Sequence, residues 1–128
     1  METFRRILHI EDSLADHQLA RITLQRSGAR FDIVHIDSLQ ALQQLELHAF
    51  DLILADYRLP GFTALDVLAH VASQPGHPPC VLLSGAIGEA AAVDAMRLGL
   101  SDYLLKDDIA RLPHVAIMKD LSEILTIP

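Results

Sequence analysis

Short apolar runs alternate with longer segments of mixed polarity along this chain of 128 residues. Five runs are rich in Leu, Ile and Val, and most lack the polar alternation of a strand with one solvated face. The predicted strands are residues 6–10, 31–36, 51–55, 80–84 and 102–105. Their continuous apolar character predicts a sheet that is covered on both faces.

The segments between these runs have the spacing of amphipathic helices. The predicted helices are residues 13–28, 38–50, 63–73 and 89–99, and a last helix begins near Pro113. Ser13 suits a helix N-cap, and Gly28 suits the position that follows a helix. The apolar positions of the first helix are Leu14, Ala15, Leu19, Ala20, Ile22 and Leu24, and those of the last are Val115, Met118, Leu121 and Leu125.

These elements form five βα units with no hairpin between strands. Right-handed crossovers then predict an α/β fold with a five-stranded parallel sheet, doubly wound by helices on both faces. We expect a single domain over residues 1–128, because no linker or repeat interrupts the pattern. In such sheets ligands bind beyond the carboxyl ends of the strands, which makes the residues after each strand the candidates for function.

Ionisable and polar side chains stand at the ends of four predicted strands. They are Glu11 and Asp12 after the first, Asp56 after the third, Ser84 at the fourth and Lys106 after the fifth. Three carboxylates at one edge repel each other unless one is protonated or a cation binds, and Mg²⁺ prefers such oxygen ligands. With an ammonium and a hydroxyl group beside them, the set predicts phosphoryl transfer to a carboxylate nucleophile.

Each of these side chains has an ordinary explanation when it is taken alone. Asp56 can cap the turn before the third helix, and Glu11 and Asp12 can stabilise the N-terminal dipole of the first. Ser84 can be a loop hydroxyl and Lys106 a solvated charge. Their joint placement at one edge favours the functional interpretation, because capping alone does not predict it.

Composition narrows the class of protein. The net charge is −7 and the basic residues are scattered, so we expect no nucleic-acid surface. The single cysteine, Cys80, cannot form an internal disulfide and favours a cytoplasmic location. No apolar run approaches the roughly 20 residues that a membrane span needs, so we expect no membrane insertion. Among the histidines, we expect His9 to be structural and His17 to lie at the surface.

The chain resembles the receiver domain of two-component response regulators, the CheY-like superfamily, over essentially its whole length. The matching segments are ILHIEDS, DLILADYRLPGF, VLLSG and GLSDYLLKDD, in the order of the five βα units. The resemblance implies a flavodoxin-like fold, a phosphoacceptor function in a phosphorelay and Mg²⁺ as cofactor. It implies that a sensor histidine kinase or a histidine phosphotransfer protein supplies the phosphoryl group.

The resemblance also implies roles for individual residues. Asp56 would be the phosphoacceptor, and Ser84 and Lys106 would contact its phosphoryl group. Tyr103 matches the switch position, whose ring turns inward when the hydroxyl of Ser84 moves. The face formed by the fourth helix, the fifth strand and the last helix would then change shape and contact an output domain or protein.

The metal ligands that the resemblance implies are Glu11, Asp12, Asp56 and the backbone carbonyl of Arg58. Arg58 stands where an apolar residue is frequent in the family. Two further departures are Gly85, where Ala is more common, and Asp107, where Pro often follows the lysine. Because a cis bond to a non-proline residue costs about 2.5–4 kcal/mol, we expect a trans bond or a changed loop after Lys106.

Other classes with parallel sheets fit less well. A haloacid-dehalogenase-type phosphatase needs a second Asp two residues after the nucleophile, where this chain has Arg58. A flavodoxin-like flavin binder needs a phosphate loop after the first strand, where EDSLAD is acidic. A receiver-like docking module that is not phosphorylated stays as the alternative, and homodimer formation stays open. Since only one predicted helix follows Lys106, we expect a stand-alone receiver or one excised from a longer chain.

Overall fold

The structure is a computed structural model that describes residues 4–117. Its strands are β1 (Phe4–Ile10), β2 (Arg30–Ile36), β3 (Leu52–Ala55), β4 (Arg58–Leu59), β5 (Phe62–Thr63), β6 (Cys80–Ser84) and β7 (Asp102–Leu105). Five of them form a parallel sheet in the order β2-β1-β3-β6-β7. This order, with its reversal between β1 and β3, is one of the common doubly wound arrangements and confirms the predicted fold class.

The helices lie between these strands. They are α1 (Leu14–Arg26), α2 (Leu39–Gln43), α3 (Ala64–Ala72) and α4 (Glu89–Arg97), with 3₁₀ helices at Leu47–Ala49 and Lys106–Arg111 and helical residues at 112–117. Ser13 caps α1 as predicted, because its hydroxyl accepts the backbone N–H of Asp16 at 3.2 Å. Gly28 follows the helix with a φ of +84°, a conformation that residues with a side chain rarely adopt.

Both faces of the sheet are covered by apolar side chains. One core joins the sheet to α2, α3 and α4, and the other joins it to α1 and residues 112–116. Alternate side chains of β1 enter the two cores, with Leu8 and Ile10 on the first side and Ile7 on the second. Each such buried side chain stabilises the fold by about 1.5–3 kcal/mol, so the strand ends stand on a rigid support.

Two predicted elements differ in the structure. The helix predicted over residues 38–50 stops at Gln43, and an extended Glu46 precedes the 3₁₀ helix in which Leu47 is buried. The prediction of no hairpin was wrong, because β4 and β5 form a short antiparallel pair around Pro60 and Gly61. Proline fixes the first central position of such a turn, and Gly61 takes the φ of +80° that the second requires.

The buried face of α1 is narrower than its sequence predicts. Leu14, Leu19 and Ile22 are exposed, whereas Ala20, Leu24 and His17 are buried. The predicted surface position of His17 was therefore wrong. In the last helix Val115 is buried, but Met118, Leu121 and Leu125 lie outside the described residues. Among the helices of residues 4–117, none combines the length and the apolar character that crossing a membrane requires.

Candidate functional site

Backbone hydrogen bonds place two carboxylates side by side where the strand order reverses. Asp56 donates its N–H to the carbonyl of Ile10 at 3.0 Å, one step beyond the pairing of β3 with β1. Glu11 donates its N–H to the carbonyl of Ile36 at 3.0 Å, one step beyond the pairing of β1 with β2. The sheet therefore fixes the backbone positions of both residues. The predicted site residues Ser84, at the end of β6, and Lys106, directly after β7, lie at the same edge.

Asp56 is held by donors on both carboxylate oxygens. Its Oδ1 accepts the hydroxyl of Ser84 at 2.6 Å and the backbone N–H of Tyr57 at 2.7 Å, and its Oδ2 accepts the ammonium of Lys106 at 2.8 Å. The residue is only 8% exposed. Burial by itself raises the pKa of Asp56, but the hydrogen bonds from Lys106 and Ser84 outweigh it and hold the pKa below its usual value. Asp56 is thus an oriented, ionised carboxylate.

Lys106 contacts three carboxylates at once. Its Nζ lies 2.7 Å from Asp16 Oδ2, 2.8 Å from Asp56 Oδ2 and 3.1 Å from Glu11 Oε2. Burial opposes the charge of Lys106, but its hydrogen bonds to Asp16 and Asp56 outweigh burial and raise its pKa. Asp16 was not among the predicted site residues, because only residues directly after strands were candidates. No local sequence signal marked Asp16, because its contact with Lys106 joins residues that are 90 positions apart.

The acidic side chains form a group that fits a cation. Oxygens of Glu11, Asp12 and Asp56 lie within 4.8 Å of one another. Glu11 is 1% exposed, and its Oε1 accepts the N–H of Ser13 at 3.1 Å. Its buried Oε2 has no hydrogen-bond partner among residues 4–117, although the ammonium of Lys106 is near it. Burial raises the pKa of Glu11 to about 7.

One ammonium does not balance the clustered carboxylates of Glu11, Asp12 and Asp56, and a hard divalent cation beside them would supply further positive charge. The three carboxylates therefore fit Mg²⁺. Arg58 begins β4, two residues after Asp56, and the coordination by its backbone carbonyl stays a prediction.

Tyr103 reaches the loop that follows Ser84. It lies in β7 opposite Leu82, is half-buried against the core, and donates its hydroxyl to the carbonyl of Gly85. Gly85 is exposed, and a Cβ added to it meets no atom within 4 Å. All peptide bonds within residues 4–117 are trans, which confirms the trans bond expected between Lys106 and Asp107.

Three histidines lie against the site on the α1 side of the sheet. His9 Nδ1 is 2.9 Å from His17 Nδ1, and the rings of His17 and His35 stack with centroids 4.0 Å apart. His35 Nε2 donates to the carbonyl of Glu11 at 2.6 Å. Burial lowers the pKa of His9 to about 3, so this ring is neutral. His9 and His35 are register partners in β1 and β2. Each stands between two apolar residues of its strand, and this shared pattern was the available signal in the sequence.

A family model described as the response regulator receiver domain matches residues 7–116. The response regulator protein FleR of Pseudomonas aeruginosa is 34% identical over 107 residues, which cover 83% of this chain and 22% of FleR. The chain therefore belongs to the response regulator receiver domain family. It acts as a receiver in two-component signalling, and because it spans about a fifth of FleR, it corresponds to one part of that longer protein.

Two solved structures extend the comparison. The crystal structure of the phosphorylated cyanobacterial phytochrome response regulator RcpA is 27% identical with a TM-score of 0.71, covering 94% of this chain and 92% of that chain. The Mn²⁺-bound form of response regulator Rcp1 is 28% identical with a TM-score of 0.69, covering 97% of each chain. The described sheet and helices are thus similar to those of receivers solved with a phosphoryl group or a metal.

Proposed function

We propose that Asp56 accepts a phosphoryl group from the phosphohistidine of a sensor histidine kinase or histidine phosphotransfer protein. A carboxylate oxygen of Asp56 attacks phosphorus, the P–N bond breaks, and its electron pair stays on the histidine nitrogen. The product is an acyl phosphate. The observation that supports this proposal most strongly is that Ser84 and Lys106 orient opposite oxygens of one buried, ionised carboxylate.

Different neighbouring residues would bind the metal ion and the phosphoryl group. Glu11, Asp12 and Asp56 would hold Mg²⁺ together with the backbone carbonyl of Arg58, and the cation would neutralise charge on the transferring group. Lys106 would pair with the phosphoryl group, and the Ser84 hydroxyl would donate a hydrogen bond to a phosphoryl oxygen. The phosphorylated state of RcpA and the bound Mn²⁺ of Rcp1 support extending both features to this chain.

The chemistry that we assign is limited to the chain itself. The chain transfers a phosphoryl group from the donor onto its own Asp56 and later loses that group by hydrolysis. It transfers the group to no other substrate. We place this receiver in the cytoplasm, where a kinase would reach the exposed edge that carries Asp12.

Phosphorylation would be transmitted through the segment after β6. When Ser84 moves to donate to the phosphoryl group, the carbonyl of Gly85 moves with it because the two residues are adjacent. Tyr103 is hydrogen-bonded to that carbonyl and follows. The face formed by α4, β7 and the last helix would then shift in population toward a form that an output domain or protein binds.

A direct test follows the intact mass of the chain during incubation with Mg²⁺ and a small phosphoryl donor such as phosphoramidate. We expect the wild type to gain one phosphoryl group and Asp56→Asn, which preserves the size of the side chain, to gain none. Chelation of the cation should slow the gain. Equal labelling of both proteins, or no labelling of the wild type, would refute the proposal.

A further inference from the structure

Lys106 presents its ammonium to Asp56 while it is also held by a residue outside the proposed chemistry. A lysine has three N–H donors, and here three carboxylates surround them. Asp56 is the proposed nucleophile and Glu11 a proposed metal ligand. Asp16 has neither role, yet its Oδ2 makes the shortest of the three contacts, at 2.7 Å.

We propose that Asp16 is a positioning residue that anchors the ammonium of Lys106 beside the phosphoacceptor; this inference rests on the proposed function. When Asp56 becomes an acyl phosphate, it loses its carboxylate charge, and a bound cation engages Glu11. Two of the three partners of Lys106 thereby change. Asp16 is the partner whose charge stays the same through the cycle, so it keeps Lys106 in reach of the phosphoryl group.

Asp16 and Lys106 lie on elements of different regularity. Asp16 lies in the first turn of α1, where its backbone N–H is bonded to the Ser13 cap, and α1 is fixed to the sheet through Ala20 and Leu24. Lys106 begins a 3₁₀ segment that contains a non-helical residue, Asp108. The flexible stem of a lysine gains its orientation from what its ammonium contacts, and the more regular element supplies that contact.

A general electrostatic role for Asp16 predicts a different outcome from an anchoring role. Asp16→Asn and Asp16→Ala remove the same negative charge, but Asn keeps a carbonyl oxygen that can accept from Lys106. Anchoring therefore predicts that Asn retains much of the wild-type behaviour and Ala does not, whereas a charge effect predicts equal behaviour. Asp107→Ala is the matched control, because it removes an exposed carboxylate next to Lys106 that is no part of the site.

The experiment measures phosphorylation rate against phosphoramidate concentration at saturating Mg²⁺, together with the NMR order parameter of the Lys106 ammonium. For Asp16→Ala we expect a maximal rate about tenfold lower and a more mobile ammonium, with Asp16→Asn within about threefold of wild type. Asp107→Ala should match wild type in both measurements.

Three outcomes would overturn the anchoring role. They are a wild-type rate in Asp16→Ala, equal rates in the Ala and Asn variants, or an ammonium that stays equally ordered in Asp16→Ala. If the wild type takes up no phosphoryl group, the proposed function fails, but the NMR comparison still shows whether Asp16 holds Lys106. The Asn variant and the thermal midpoint of each protein separate these effects from loss of folding.

Discussion

Glu11 is a buried carboxyl group whose ionisation makes the stability of the metal-free protein depend on pH. Burial moves its pKa from 4.5 to about 7. Glu11 in the folded state then binds a proton more tightly than in the unfolded state. Its contribution to the free energy of unfolding is therefore greatest below pH 4.5 and is lost as pH rises through 7. The displacement corresponds to about 3 kcal/mol as an upper limit, in which the opposing effect of the Lys106 ammonium is already included.

Other groups would obscure this trend in the wild type alone. His9 has a lowered pKa, so its contribution rises with pH and is lost as pH falls through the acid range. Asp56 also has a lowered pKa, and its contribution is lost only at still lower pH. The difference between wild type and Glu11→Gln cancels the contribution of His9, which both proteins share. Asp56 stays ionised between pH 5 and pH 8, because its pKa lies below 3.8.

The assay is urea unfolding of wild type and Glu11→Gln with a chelator present, at pH 5 and pH 8. We expect the variant to gain about 1–3 kcal/mol relative to wild type between the two pH values. Adding Mg²⁺ at pH 8 should stabilise the wild type and leave Glu11→Gln nearly unchanged. A difference between the proteins that is the same at both pH values would refute the reasoning about Glu11.

Three further substitutions test separate parts of the site. Ser84→Ala removes the donor to Asp56 Oδ1; we expect a phosphorylation rate about tenfold lower in the intact-mass assay, and a rate equal to wild type would contradict the assigned contact. Tyr103→Phe removes the hydrogen bond to Gly85; phosphorylation should stay within about twofold of wild type, but hydrogen exchange in α4 should no longer respond to it. Gly61→Ala places a side chain at a φ of +80° and should lower the free energy of unfolding by about 1 kcal/mol in urea, an effect that an unchanged unfolding midpoint would exclude.

The strands and the residues at their ends were predictable because both follow from simple periodic rules. Five apolar runs had to be buried on both faces, and parallel strands bring their carboxyl ends to one edge. Asp56, Ser84 and Lys106 therefore meet in the structure as the sequence predicted, with Glu11 and Asp12 beside them.

The missed features depend on tertiary contacts rather than on strand ends. Asp16 lies on a helix, so its contact with Lys106, 90 residues further along the chain, leaves no local signal. His17 reads as a surface residue by type, but its ring is buried by stacking on His35 from another element. The early end of α2 is likewise marked by no Gly or Pro between Gln43 and Leu47, and Leu47 is buried from a separate 3₁₀ helix.

The role of Asp56 as phosphoacceptor is tested by the position of the phosphoryl group in the phosphorylated chain. Reduction of the acyl phosphate with borohydride converts the modified aspartate to homoserine, which peptide sequencing by mass spectrometry then locates. We expect homoserine at residue 56 alone. Reduction at Glu11, Asp12 or Asp16 instead, with Asp56 intact, would contradict the central claim that Asp56 is the phosphoacceptor.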